Sequence, residues 1–181
     1  TLTHYNKIIK IRNRCLSVNK DYSEIVVWDE QLNPLAIKIW EHREKFFNEF
    51  NNEFQLLWTK VMPSKHSTVQ YKCPKEVYRK KLIETLFKRI EKDKHRGQTG
   101  AGPHKDIVNF FFGDIDIKNQ ASQGEKKFFL VVLKIAEAKY IHQKTNQKPV
   151  LLFDDLIAKL DQARGKKIHQ LIDNEYQTII T

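Results

Sequence analysis

Pro149-Val150-Leu151-Leu152-Phe153-Asp154-Asp155 is the stretch of sequence that decides the fold. Its short, continuous apolar run is typical of a parallel strand that is buried on both faces. The run ends in two adjacent carboxylates, and ligands of open α/β sheets bind at the carboxyl ends of the strands. Unpaired charges are costly in apolar surroundings, so the two acids predict a cation or hydrogen-bond donors at this edge.

This is the Walker B pattern, in which the two acids have different roles. Asp154 is predicted to hold Mg²⁺, usually through water, and Asp155 to orient or deprotonate the water that attacks a phosphate. A strand that ends in an Asx turn explains the same residues without any chemistry. The motif alone therefore leaves both interpretations open.

A second motif, Ala121-Ser122-Gln123-Gly124-Glu125, opens a strongly apolar helix. Ser122 and Glu125 have the S-x-x-E spacing of a capping box, which is a complete structural explanation. The functional alternative is an anion site, because Gly124 bares the backbone amides at the helix N-terminus. In that case the serine hydroxyl and those amides together would hold a γ-phosphate.

A third motif, Ala158-Lys159-Leu160-Asp161, follows the acidic pair. The order and spacing of the three motifs match the signature, Walker B and D-loop segments of ABC ATPases. No Walker A motif accompanies them: Gly97 and Gly102 have the required spacing, but Pro103 and His104 stand where Lys and Ser or Thr are needed. We therefore expect no ATP hydrolysis by this chain alone, because it lacks the loop that cradles the phosphates.

The two halves of the chain differ in composition. Residues 1–96 contain no glycine and predict three helices, the second with a candidate break at Asn33-Pro34. The predicted helices begin with the amphipathic set Tyr5, Ile8, Ile9, Arg12 and Leu16, and continue over about Ser23–Trp58 and Pro74–Lys94; the third has Tyr78, Leu82, Ile83, Leu86, Phe87 and Ile90 as its buried stripe.

All six glycines lie after residue 96, where the pattern changes to α/β. The predicted fold class is α/β, the C-terminal half of an ABC-type P-loop ATPase head preceded by a mostly helical lobe. Its domains are residues 1–96, a partial helical second lobe, and residues 97–181, the C-terminal part of the ATPase lobe. The elements of the second domain are a hairpin of Ile107–Phe112 and Ile115–Ile117, a helix from Gln123 to about Gln143, a strand Val150–Phe153, a helix Gln162–Ile172 and a strand Thr178–Ile180.

Bulk composition limits the class of protein and its partners. The 181 residues are 40% hydrophobic and 30% charged, as in globular proteins, and no apolar run approaches the roughly 20 residues that cross a bilayer. Cys15 and Cys73 lie far apart and fit unpaired thiols in the cytoplasm. The chain begins at Thr1 and its only methionine is Met62, so we expect a fragment of a longer product.

The net charge of +10 favours a polyanion partner, most simply nucleic acid, although a basic surface without a partner is the alternative. The third helix supplies the candidate phosphate contacts, and a solvated helix face explains them equally well. A second basic cluster is Lys7, Lys10, Arg12 and Arg14. The candidates on the third helix and just beyond it are Arg79, Lys80, Lys88, Lys92 and Arg96.

Further segments of the chain carry a more specific resemblance. They include Lys10-Ile11-Arg12-Asn13, Trp28-Asp29-Glu30-Gln31-Leu32, Arg43, Gly100-Ala101-Gly102-Pro103-His104-Lys105-Asp106, Ala121-Ser122-Gln123-Gly124, Leu151-Leu152-Phe153-Asp154-Asp155, Lys159-Leu160-Asp161 and Gln177-Thr178-Ile179-Ile180-Thr181. In this order they resemble the RecF family of bacterial recombination mediators. Glu125 and Lys126 depart from the glutamine pair usual in that family, as does Lys159 from the usual acidic residue.

The resemblance implies a head similar to those of Rad50 and SMC proteins, without a long coiled coil. It implies an ATP- and Mg²⁺-dependent homodimer with slow ATPase activity, in which Ser122, Gln123, Gly124 and Glu125 meet the ATP of the opposite subunit. It further implies binding of double-stranded and gapped DNA, RecO and RecR partners, loading of RecA, and a place in DNA repair, recombination, replication and the SOS response. The D-loop residue is Asp161, and Gly102, Pro103 and His104 form a Gly-Pro-His box to which no role is assigned.

Two other functions fit the same motifs. One is another ABC-type head, such as a small SMC-like or RecN-like protein. The other is a DNA-binding or scaffold module that hydrolyses nothing, in which capping and turn formation explain each motif separately.

Overall fold

The computed structural model describes residues 1–72, 75–154, 162–172 and 176–181, with the backbone alone described over 75–81. The predicted α/β class is confirmed, since helices alternate with short strands in the second half. In chain order the elements are α1 (Leu2–Ser17), α2 (Tyr22–Val61), β1 (Ser67–Lys72), α3 (Lys75–Lys88), α4 (Ile90–Arg96), a 3₁₀ turn (Pro103–Lys105), β2 (Ile107–Phe112), β3 (Ile115–Asp116), α5 (Ile117–Gln120), α6 (Gln123–Thr145), β4 (Leu151–Phe153), α7 (Gln162–Leu171) and β5 (Thr178–Ile180).

Helix α2 is continuous over 40 residues, with Pro34 inside it. The candidate break at Asn33-Pro34 is therefore wrong. A proline in a helix removes one hydrogen bond and crowds the preceding turn. Burial of Leu32 and Ala36 on either side of Pro34 outweighs that cost, because tertiary packing supplies most of the stability of a protein helix.

The chain divides into two compact units. The first unit comprises Thr1–Lys45 and Tyr71–Ile107, and the second comprises Phe46–Gln70 and Val108–Thr181. The predicted domains, residues 1–96 and 97–181, stay a prediction. No helix in the described part of the chain has the length and apolar character needed to span a membrane.

The predicted third helix of the first unit is in fact two helices. Helix α3 ends at Lys88 and α4 begins at Ile90, so the helix predicted to run to Lys94 is interrupted at Arg89. Leu82 and Leu86 are buried as predicted, but Phe87 is 54% exposed and meets the ring of Tyr22 edge-on. Residues 73 and 74 lie outside the described residues, and so does the side chain of Tyr78.

A buried ion cluster lies at the centre of the first unit. Arg12, Asp29 and Asp93 come from helices α1, α2 and α4, and each is 0% exposed. The Arg12 guanidinium donates from Nε to Asp29 at 2.5 Å, and from Nη1 to Asp93 at 3.3 Å and to the Thr99 hydroxyl at 3.0 Å. Asn13 accepts from both the amide and the hydroxyl of Thr99. One guanidinium thus ties three helices and the following loop together.

The second unit has an aromatic core around Trp58, which lies 5.4–5.8 Å from the rings of Phe112, Phe128 and Phe129. Strands β1, β2 and β3 form one sheet, and the predicted hairpin of β2 and β3 is confirmed. Its two-residue turn begins at Gly113, whose φ of +59° favours glycine.

Strands β4 and β5 pair in parallel, with Leu152 opposite Ile179. The predicted parallel pair is therefore confirmed, and β5 has the predicted bounds. Helix α6 packs against β4 and α7. Leu151 and Phe153 face this helical layer and are buried, whereas Leu152 points the other way and is 66% exposed.

We expect Arg12→Met to destabilise the chain by about 3–5 kcal/mol, because it removes the cation that the buried carboxylates of Asp29 and Asp93 share. Asp93 keeps Arg89, whose Nε lies 3.8 Å from its Oδ1. Urea unfolding followed by circular dichroism measures the change. Arg14→Gln on the exposed face of α1 is the matched control, with an expected effect within about 0.5 kcal/mol. Equal effects of the two substitutions would contradict the clamp role of Arg12.

Candidate functional site

The N-terminus of helix α6 is closed by the predicted capping box. The Ser122 hydroxyl accepts from the Glu125 amide at 3.3 Å, and the Glu125 carboxylate accepts from the Ser122 amide at 2.9 Å. The same carboxylate accepts from the Ser122 hydroxyl at 2.8 Å. Hydrogen bonds from Ser122 therefore lower the pKa of Glu125. The structural interpretation of this motif is confirmed, and both residues remain accessible to solvent.

A guanidinium that the sequence motifs did not predict lies beside this turn. A Cβ atom added to Gly124 would lie 3.2 Å from Nη1 of Arg164 on α7. The Arg164 guanidinium also lies 5.8 Å from the ring centroid of Phe128. A serine hydroxyl, helix N-terminal amides and a guanidinium are all groups that bind phosphate. The only sequence signal for Arg164 is its place in the first turn of α7.

The strand predicted to be Walker B, β4, places Asp154 at the carboxyl end of the β4–β5 pair. Asp154 is exposed, and its Oδ1 accepts from the Thr181 hydroxyl at 2.9 Å. An exposed carboxylate is the hard oxygen ligand that Mg²⁺ prefers. Asp155 and Asp161 lie outside the described residues. Over the described ranges, no group of three or more His, Cys, Asp or Glu side chains is arranged to hold a metal.

The predicted signature residues and the predicted Walker B strand lie at different parts of helix α6. Ser122, Gln123 and Gly124 lie at its first turn, whereas β4 packs against its second half, at Lys134, Glu137, Ala138 and Ile141. Helix α6 thus spans the distance between the two predicted motifs.

The Gly-Pro-His box lies in the first unit and is held by side chains of α1 and α2. Nε2 of His104 lies 2.9 Å from the Thr99 carbonyl, which can only accept, so Nε2 carries the hydrogen. Nδ1 then accepts from the Tyr5 hydroxyl at 2.7 Å. Gly102 has a φ of +128°, and a Cβ there would lie 2.5 Å from the Tyr5 oxygen, so only glycine fits.

Side chains of α2 hold the last residue of the Gly-Pro-His segment's neighbourhood, Asp106, and the Pro103 carbonyl. Arg43 donates to the Pro103 carbonyl at 2.5 Å and to the Asp106 carboxylate at 2.8 Å. Trp40 and Tyr71 also donate to Asp106. These polar contacts of the box are all internal to the unit, which supports a structural role for it.

Comparison with known proteins agrees with this arrangement. A scan of protein-family models finds no match. The DNA replication and repair protein RecF of Flavobacterium johnsoniae is 34% identical over 179 residues, which are 96% of this chain and 50% of that protein. The same protein of Alkaliphilus oremlandii is 32% identical over 193 residues, covering 100% of this chain and 52% of its own. Over nearly its whole length the chain is thus similar to one half of a RecF protein.

The chain spans about half the length of the RecF proteins that it matches. A solved structure of the recombination mediator protein RecF-ATP in the RecFOR pathway has a TM-score of 0.82 and 24% sequence identity, and the match covers 99% of this chain and 51% of that one. A second structure, RecF-ATPrS, has a TM-score of 0.83. These two matches show that the chain has the RecF fold.

The structure describes only some of the basic residues that are predicted to contact DNA. Lys88, Lys92 and Arg96 are exposed at the end of α3 and along α4, whereas the side chains of Arg79 and Lys80 lie outside the described residues. In the second basic cluster, Arg12 is buried and cannot reach a phosphate. Its place on the apolar stripe of α1, with Tyr5 and Ile8, was the sequence signal for burial.

We expect His104 to make the stability of the chain depend on pH. Burial lowers the pKa of His104 below the ordinary value of 6.5, so the unfolded chain takes up this proton at a higher pH than the folded chain. The stabilisation is complete above pH 6.5 and is lost as the pH falls through the lower pKa of the folded state.

Urea unfolding of His104→Gln between pH 7.5 and about pH 5 tests this expectation, because the substitution should flatten the pH dependence. His95→Gln, at an exposed position of α4, is the matched control and should leave the slope intact. An unchanged slope in His104→Gln would contradict the assignment.

Proposed function

We propose that this chain is the signature and Walker B half of a RecF-type recombination mediator that acts in DNA repair, recombination and replication. The whole protein would be a cytoplasmic ATP-dependent homodimer that binds duplex DNA at single-strand gaps. It would assist RecA loading together with RecO- and RecR-type partners, and it would belong to the SOS response. The observation that carries the proposal is the exposed, capped N-terminus of α6 within a RecF fold.

The chemistry at that N-terminus supports binding of an anion presented by a second subunit. Ser122 and Gln123 at the start of α6 are exposed, and the Arg164 guanidinium lies against Gly124. The carboxylate of Glu125 opposes a phosphate there, because it lies 2.8 Å from the Ser122 oxygen. The positive charge of Arg164 offsets that repulsion and also lowers the pKa of Glu125. Nucleotide binding across a dimer therefore requires the Ser122–Glu125 hydrogen bond to be exchanged for one to phosphate.

Residues that would serve Mg²⁺ and the attacking water lie on the other motif. Asp154 fits a water-mediated Mg²⁺ ligand by its position and exposure, and Asp155 would orient the water. ATP supplies the phosphates, and the loop that cradles them would come from a Walker A segment, which this sequence lacks. We accordingly expect ATPase activity only in a full-length RecF-type chain, and none in this chain alone.

Charge distribution supports DNA as the polyanion. Residues 71–107 hold 11 Lys and Arg against 5 Asp and Glu, a net of +6 out of the +10 of the whole chain. Two of those acids, Asp93 and Asp106, are engaged by Arg12 and Arg43 within the first unit. The exposed surface of this segment therefore carries more net positive charge than the composition of the segment alone indicates. Phosphate contacts of this kind position a duplex without reading its bases.

Ser122→Arg in a full-length RecF-type chain should abolish ATP-driven dimerisation and leave ATP binding by each subunit intact. The arginine side chain would fill the space that the γ-phosphate of the partner must occupy. Light scattering with and without ATP measures the mass. Asn119→Arg, an exposed position before α6, is the matched control. Normal dimerisation of Ser122→Arg would contradict the proposal and would leave Ser122 only its role as a helix cap, which stabilises the fold by about 1 kcal/mol.

Replacing Lys88, Lys92 and Arg96 with glutamine should weaken duplex binding equally for all sequences. The slope of log K against log salt should flatten by about 0.9 for each phosphate that the variant no longer neutralises. A triple glutamine variant at Lys38, Lys45 and Lys60, which are exposed elsewhere, makes the same change in net charge. Equal losses of affinity in the two triple variants would show that net charge alone attracts the DNA.

A further inference from the structure

An open apolar groove lies in the second unit between strand β2 and helix α6. It has a volume of about 550 Å³. Its floor includes Val108 and Phe110 from β2, and Leu130 and Leu133 from α6. This volume lies within the range of about 300–1,000 Å³ that ligand pockets commonly measure.

The groove continues along β2 into a second depression of about 300 Å³. Val108, Phe110 and Leu133 line both, and the second depression extends to Phe46 and Phe47 of α2. Leu130 and Phe46 are each 37% exposed, so the apolar surface is open rather than sealed inside the core. The residues that the two depressions share join them into one apolar surface.

Two lysines flank the groove, and both lie near helix N-termini, where positive charge is unfavourable. Lys118 lies in the first turn of α5, and Lys126 lies in the first turns of α6. The partial positive charge of a helix N-terminus stabilises acids and disfavours lysine. Neither ammonium group has an ion-pair partner within the described part of the chain. The groove is therefore apolar at its floor and electropositive at one rim.

The acid that lines the groove, Asp116, offsets only one of the two lysine charges, so the rim keeps a net positive charge. The carboxylate of Asp116 accepts from the Lys118 amide at 2.9 Å and from the Asn119 side chain at 2.8 Å. These hydrogen bonds cap α5 and use both carboxylate oxygens. The positive charges of Lys118 and Lys126 remain available to an anion from outside.

We propose that this groove docks a peptide segment of a partner protein that combines apolar side chains with neighbouring carboxylates. The apolar side chains would fill the floor over Phe110 and Leu133, and the carboxylates would pair with Lys118 and Lys126. Nucleic acid is the poorer fit, because Asn109 is the one uncharged polar side chain in the lining and polar base edges would go unpaired. The proposal is independent of ATP chemistry and of the DNA contacts on α3 and α4.

Fluorescence anisotropy on a full-length RecF-type chain tests the proposal with a labelled probe peptide of three aspartates followed by leucine and phenylalanine. One matched peptide has asparagine in place of the aspartates, and another has serine in place of the two apolar residues. We expect saturable binding of the probe, weakened about tenfold in either matched peptide, because each loses one of the two attractions.

The protein variants separate the rim from the floor. Lys118→Gln with Lys126→Gln should weaken binding about tenfold and remove most of its salt dependence. Leu130→Asn should weaken binding about tenfold and leave the salt dependence intact. Lys60→Gln with Lys148→Gln, at exposed positions outside the groove, is the matched control and should bind normally.

Three outcomes would overturn the proposal. The first is absence of saturable peptide binding at millimolar protein. The second is tighter binding of labelled oligothymidine than of the probe, with loss in the Lys118→Gln, Lys126→Gln variant, which would assign the groove to nucleic acid. The third is self-association of the wild-type chain that Leu130→Asn abolishes, which would assign it to a second copy.

Discussion

The ion cluster around Arg12 is the constraint on which the first unit depends. A guanidinium removed from water is costly unless partners compensate it, and here Asp29 accepts from Nε of Arg12 while Asp93 and Thr99 accept from Nη1. These side chains can meet at one point only when helices α1, α2 and α4 pack in the observed arrangement. The loop from Thr99 to His104 follows, because Thr99 is bonded to Asn13 and Arg12, and Gly102 lies against Tyr5. The ion cluster thus fixes the loop at Thr99, and Tyr5 and Arg43 hold the Gly-Pro-His box that follows.

In the turn before α6, the atoms that cap the helix are the same atoms that are proposed to bind phosphate. Ser122 and Glu125 satisfy each other, so the turn needs no ligand to be stable. A function for it rests instead on exposure, on the nearby Arg164 guanidinium and on the RecF fold. The apolar groove further along α6 differs from this turn. No group in the described part of the second unit covers its apolar floor or pairs with its two lysines.

Much of the fold was predictable because its signals are local. The capping box, the Gly113 turn and the apolar strand before Asp154 each depend on a few adjacent residues. Such signals fail where packing overrides them. Pro34 stays helical because its neighbours are buried, and the helix predicted to reach Lys94 is interrupted at Arg89 because Asp93 must face Arg12. Phe87, at the end of α3, is exposed although its position in the predicted apolar stripe indicated burial.

By itself the sequence determined the α/β class, the order of the signature, Walker B and D-loop motifs, and the family resemblance. These depend on periodicity and spacing along the chain, which are properties of the residue order alone. Only the tertiary structure decided that Arg12 is a buried clamp and not a phosphate contact, that Arg164 lies against Gly124, and that Lys118 and Lys126 flank an apolar groove. Charge and hydrophobicity are properties of single residues, whereas their burial and their neighbours are set by residues far away in the chain.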